Sequence, residues 1–146
     1  MEVVENTSNA ALSSVTERVL AASGVLAISA GSAFVAYFNP THASLFPVCP
    51  LFKLTGFACP GCGLTRGFHA LFHGDVLTAL GFNALLPAFA LMFGYIFLAL
   101  VLVAVRGRGL PTNFIRAGWL YGFLAVAITF TILRNLPYYP FSVLFP

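Results

Sequence analysis

Charge is what this chain has least of. Of its 146 residues, 8% are charged and 60% are hydrophobic, against about 25% charged in soluble domains. A soluble fold this apolar could not cover its surface with polar groups, whereas lipid tails are themselves an apolar solvent. Acidic side chains are scarcer still. Glu2, Glu5 and Glu17 cluster at the amino end, and beyond Arg18 Asp75 is the sole carboxylate, set against Lys53, Arg66, Arg106, Arg108, Arg116 and Arg134. A net charge of +3 spread this thinly excludes a nucleic-acid-binding surface. Cysteine is also sparse: three residues, Cys49, Cys59 and Cys62, exclude a disulfide-rich scaffold and leave at least one thiol outside any internal bridge. The first eighteen residues lack the basic stretch of a cleaved signal peptide, so the first apolar run reads as an uncleaved anchor.

Long uncharged runs take the place of those missing groups. Residues 19–38, 82–105 and 115–133 are each near the length of about 20 residues that crosses a bilayer. The fold expected is an all-α membrane protein of about three transmembrane helices. A polar tail over 1–18 precedes one membrane domain over 19–141, and a short tail over 142–146 follows. The first run is rich in Ala, Gly and Ser, which let helices approach closely. Asn39-Pro40 ends it. Residues 39–63 carry Pro40, Pro47, Pro50, Pro60, Gly56, Gly61 and Gly63 and read as an irregular re-entrant or interfacial loop. Leu64 to His73 reads as a short helix stopped by Gly74, with Asp75 capping a second short helix that runs from Val76 toward Asn83.

Orientation follows from the basic residues. Arg106, Arg108 and Arg116 form the densest cluster, which favours the cytoplasmic side. Three spans then put the amino terminus in the cytoplasm, and residues 39–81 and the carboxyl terminus outside. In a bacterium that is the periplasmic face of the inner membrane, where disulfides persist.

The special residues concentrate in Cys59-Pro60-Gly61-Cys62-Gly63-Leu64-Thr65-Arg66, and three readings stand side by side. In the redox reading Cys59 and Cys62 form a reactive pair, a helix amino end stabilises a thiolate, and Cys49 is a third thiol. In the metal reading Cys59, Cys62, His69 and His73 bind zinc. At about 100° per residue Cys62, Arg66, His69 and His73 share one stripe, although Arg66 would repel the ion. In the structural reading the cysteines are small apolar fillers and Pro60 and Gly61 shape a tight turn. Of the polar residues that follow, Asn83 enters an apolar run, where its amide needs a partner, and the backbone of the re-entrant turn would serve. Arg134 is either a partner for Asp75 or an interface anchor reaching to the membrane surface.

These residues fall in an order that resembles a bacterial family of small membrane proteins. Phe46-Pro47-x-Cys49 comes first. Gly56-x-x-Cys59-Pro60-x-Cys62-Gly63-x-Thr65-Arg66, Gly74-Asp75 and Asn83 follow, and Arg134-Asn135-x-Pro137-x-x-Pro140-Phe141 closes the chain. That family is known as a domain of unknown function with a Cys-Pro-x-Cys-Gly-x-Thr-Arg signature. The resemblance implies a multi-span inner-membrane protein whose functional segment is 46–83. It implies no reaction, and its pattern does not include His69 or His73. The role expected is that of a non-enzymatic accessory or assembly protein. Its turn would be held by a polar network of Arg66, Asp75, Asn83 and Arg134, with no cofactor. It would contact lipid and, through the first span, other membrane proteins or itself. Thiol redox chemistry and zinc binding are the alternatives.

Overall fold

The computed structural model describes residues 14–40, 46, 49–110, 117–139 and 141–144, and all of its regular structure is helical. Helix α1 spans Val15–Tyr37. It starts four residues before the expected span because Ser14 and Glu17 form a capping box. The Ser14 hydroxyl accepts from the Glu17 N–H at 3.3 Å and the Glu17 carboxylate accepts from the Ser14 N–H at 3.1 Å, satisfying two amides that a helix start otherwise leaves open. Part of the expected polar tail is therefore helix. The loop expected over 39–63 also contains a helix, α2 at Pro50–Thr55, with proline in its first turn and Gly56 closing it at φ +75°. Proline suits that position because the first-turn N–H has no intrahelical acceptor.

Helix α3 spans Leu64–Phe72 and α4 spans Val76–Phe82. Between them Gly74 turns at φ +80°, the Asp75 N–H reaches back to the Ala70 carbonyl at 3.0 Å, and the Asp75 carboxylate caps α4 by accepting from the Thr78 N–H at 3.0 Å. Asn83 is extended and separates α4 from α5, which spans Leu86–Arg106. The second apolar run is thus broken at Asn83: Pro87, in the first turn of α5, has no N–H to give the Asn83 carbonyl four residues earlier, and its ring crowds that carbonyl in a continuous helix. Helix α6 spans Ala117–Arg134, and a 3-10 turn follows at Phe141–Leu144. The beginning of the third expected span and Arg116 lie outside the described residues, as do Pro47 and Pro140.

Helices α1 and α5 run antiparallel. At one end the Arg18 guanidinium donates to the carbonyls of Ala104 and Val105 at 3.2 and 3.1 Å, placing a cation on the negative end of α5. Further along, Gly24 faces α5, where an added Cβ would stand 3.1 Å from Leu100 Cδ1. Gly24 thus serves contact with another helix of the same chain, whereas Gly31 has nothing within 4 Å of an added Cβ. At the opposite end α3 packs under α1 and against α4, around buried Ala70, Ala79 and Leu86. Gly67 permits that approach, since a Cβ there would meet the Ala79 carbonyl at 3.2 Å and Leu86 at 3.3 Å.

Two of these helices, α1 and α5, are long and apolar enough to cross a membrane, and α6 is shorter and apolar. Their large side chains point outward, as Leu26, Leu91 and Ile132 illustrate at 60% exposure or more. Such a surface suits lipid and is costly in water.

Candidate thiol site

The three cysteines converge although the first and second are ten positions apart. Cys49 precedes α2 as its N-cap, and Cys59 and Cys62 flank the turn that leads into α3. Cys59 Sγ lies 3.4 Å from Cys49 Sγ and 3.3 Å from Cys62 Sγ, and all three sulfurs lie within 4.8 Å of one another. All are free thiols; Cys62 is buried, Cys49 and Cys59 half-buried. Cys59 is the middle member of the series.

The turn wraps around its own sulfur. The Cys62 N–H donates to the Cys59 carbonyl at 3.0 Å, while the Cys59 N–H donates to Cys62 Sγ at 3.2 Å. Gly63 then adopts φ +82° to start α3, a geometry that costs other residues roughly 1–2 kcal/mol. Three side chains clamp the turn from outside it. Asn83 Nδ2 donates to the carbonyls of Pro60 and Cys62 at 2.8 and 3.2 Å, and its Oδ1 accepts from the Leu85 N–H at 2.8 Å. Arg134 Nη1 donates to the carbonyls of Cys59 and Cys62 at 3.0 and 3.2 Å. Asn135 pairs with both backbone groups of Ala58, accepting its N–H at 2.8 Å and donating to its carbonyl at 2.9 Å.

The electrostatics of the three thiols differ. The Phe52 N–H at the start of α2 holds the Cys49 thiol below its ordinary pKa, with a further contribution from the Cys59 side chain. Burial pushes the Cys62 thiol up to about 12, and its neighbours Cys59 and Cys49 add to the rise. Cys49 is thus the more readily ionised of the two and Cys62 the less. Beneath them Arg134 is fully buried. Its guanidinium lies 4.9 Å from the centre of the Phe130 ring, its Nε and Nη2 lack hydrogen-bond partners, and its charge acts on the sulfurs of Cys62 and Cys59.

Asn83 meets the turn backbone, as its place in an apolar run suggested. Arg134 is neither a partner of Asp75 nor an interface anchor, since it is sealed from solvent and directed at the turn. The four-residue polar network is not assembled. Asn83 and Arg134 share the Cys62 carbonyl, whereas Arg66 lies over the Phe82 ring at 5.4 Å and Asp75 bonds its own helix. The four-ligand zinc set is not gathered either. His69 Nδ1 bonds the Val35 carbonyl at 2.8 Å and His73 Nε2 the Ala36 carbonyl at 3.1 Å, so both rings satisfy the open carboxyl end of α1 while Cys59 folds back toward Cys49. Asn135, which the sequence offered only as part of the closing motif and without a role, is the third clamp. An apolar groove of about 580 Å³ between α1, α3 and α5 is separate from the thiols, and of the signature residues Thr65 lines it.

Residues 49–104 match the model of a family described as Protein of unknown function (DUF2752). The matched stretch begins at Cys49, contains the three thiols and Asn83, and stops short of Arg134. No curated protein and no solved structure matches the chain.

Proposed function

We propose that this protein is a three-span membrane protein that carries out thiol–disulfide exchange at the extracytoplasmic face, using Cys49, Cys59 and Cys62 in series. The observation that carries the reading is the position of Cys59 Sγ, within 3.4 Å of both other sulfurs. Topology supports the location. Arg18, at the start of α1, meets the end of α5 beside Arg106 and Arg108, so the densest group of basic residues lies at one end, whereas Lys53, Arg66 and Arg134 belong to the elements around the thiols. By the positive-inside tendency that end is cytoplasmic, with the thiols at the other.

In the exchange, Cys49 thiolate attacks a disulfide of a partner protein or small molecule. A mixed disulfide forms and one partner thiolate leaves. Cys59 then attacks Cys49 sulfur, releasing the second partner thiolate and closing a Cys49–Cys59 bond. Cys62, after giving its proton to a departed partner thiolate, attacks Cys59 in turn, forming the Cys59–Cys62 disulfide and returning Cys49 as thiolate, the better leaving group because its pKa is lowered. Two electrons pass to the partner disulfide, and the protons of Cys59 and Cys62 end on the two partner thiols.

A redox titration of the detergent-purified protein with thiol-specific mass tags tests this. The expected result is a reversible two-thiol step between about −300 and −120 mV, with Cys62→Ala stalling at the Cys49–Cys59 bond. Three thiols that stay reduced and untagged until denaturation would defeat the proposal. That outcome would favour the second reading, an accessory or assembly protein, which the clamping of the turn by Asn83, Arg134 and Asn135 supports.

A further inference from the structure

The same three sulfurs have a second capability that does not rest on thiol exchange. We infer that Cys49, Cys59 and Cys62 together bind one zinc ion, with buried Arg134 as its counter-charge and an outside ligand in the fourth position. Two sides of the sulfur triangle measure 3.4 and 3.3 Å and the third is at most 4.8 Å. A point equidistant from all three therefore lies no more than about 2.4 Å from each, against a zinc–sulfur bond of about 2.3 Å. Tetrahedral bonds of that length space sulfurs about 3.8 Å apart, so shifts of roughly half an ångström to one ångström in the side chains complete the geometry.

Charge supports the same assignment. Arg134 is 0% exposed, two of its nitrogens lack partners, and among the described residues it forms no ion pair with a carboxylate. A buried cation without a counter-ion is costly. Three thiolates and one divalent zinc carry one net negative charge, which Arg134 neutralises. Softness points the same way, because thiolates select zinc or monovalent copper over hard cations. Monovalent copper on three thiolates would leave a negative charge uncompensated beside Arg134. Two observations thus converge from different elements: the sulfur triangle from α2 and the turn, and the orphaned guanidinium from α6. Metal binding would hold all three sulfurs as thiolates and block exchange, so the ion would also gate the reaction proposed above.

The test is a competition titration of the reduced full chain in detergent, under anaerobic conditions, with zinc(II) against a chromophoric chelator. One zinc per chain is expected. Cys49→Ser, Cys59→Ser and Cys62→Ser should each weaken binding by more than the roughly 100-fold that loss of an outer-shell contact reaches. Arg134→Met should weaken it by roughly 10- to 100-fold, with Arg134→Lys restoring part of the loss. His69→Ala and His73→Ala should leave it unchanged. Cadmium(II) gives a second readout, a thiolate-to-metal charge-transfer band that weakens with each serine. Binding no tighter than that of a variant lacking all three cysteines would overturn the inference. Binding lost in the histidine variants but kept in Cys49→Ser would overturn it too. Zinc failure with intact thiol exchange leaves the proposed function standing, and zinc binding by thiols that never exchange does the opposite.

Discussion

Arg134→Met isolates what a buried, unpaired guanidinium contributes. The wild-type side chain makes two charge-assisted hydrogen bonds to the turn, worth roughly 1.5–3 kcal/mol each. Its face contact with Phe130 adds about 1 kcal/mol. Against these stand two buried N–H-bearing nitrogens without acceptors, at roughly 1–3 kcal/mol each, and a further cost for keeping the charge out of water. Methionine removes both sides of this balance and fills most of the volume. No turn carbonyl is stranded by the change: Cys59 oxygen keeps the Cys62 N–H at 3.0 Å and Cys62 oxygen keeps Asn83 Nδ2 at 3.2 Å. The expected net change is within about 2 kcal/mol of zero, a shift of no more than about 8 °C in unfolding midpoint for a chain of this size. Arg134→Ala should lose roughly 2–5 kcal/mol, because it also opens a cavity. Thermal unfolding in detergent micelles, followed by circular dichroism, separates the two variants. A loss above about 4 kcal/mol in Arg134→Met would refute the reasoning, for it would mean that the guanidinium holds the turn through more than the contacts counted above.

Three other substitutions probe the supports of the site. Asn83→Ala strands the Pro60 carbonyl and the Leu85 N–H, at roughly 1–3 kcal/mol each; it should unfold well before Arg134→Met in the same assay. Gly67→Ala pushes a methyl against the Ala79 carbonyl and Leu86 and should cost roughly 1–3 kcal/mol, read as a lower midpoint and faster proteolysis between α3 and α4. Arg66→Ala removes one half-buried stacking contact with Phe82 and should cost about 1 kcal/mol or less. A large loss there would restore Arg66 to the polar network from which the structure separates it.

Much of the architecture was legible because it rests on local rules. Uncharged runs mark apolar helices wherever they occur, since no partner is needed to make a stretch uncharged. Gly74-Asp75 reads as a helix stop followed by a cap because both devices act within one turn of the chain, and the Thr78 contact of Asp75 is such a device. The Ser14–Glu17 capping box and the start of α2 at Pro50 are equally local, and went unread because their flanks look like tail and loop. The site was less legible. His69 and His73 share a helical stripe with Cys62, and that periodicity suggested one metal set. It carries no information about the carboxyl end of α1, whose open carbonyls take both rings.

By itself the sequence determined the helical class, the three apolar stretches and the segment in which the unusual residues crowd. These follow from composition and from spacing over a few residues, where backbone geometry leaves little choice. Only the tertiary structure decided which thiols meet and which cation lies beneath them. Cys49 reaches Cys59 through the path of α2, and Arg134 arrives seventy-two positions after Cys62. Such meetings depend on helices packing in three dimensions, where one apolar surface tolerates many neighbours but a buried polar group accepts only those that satisfy its hydrogen bonds.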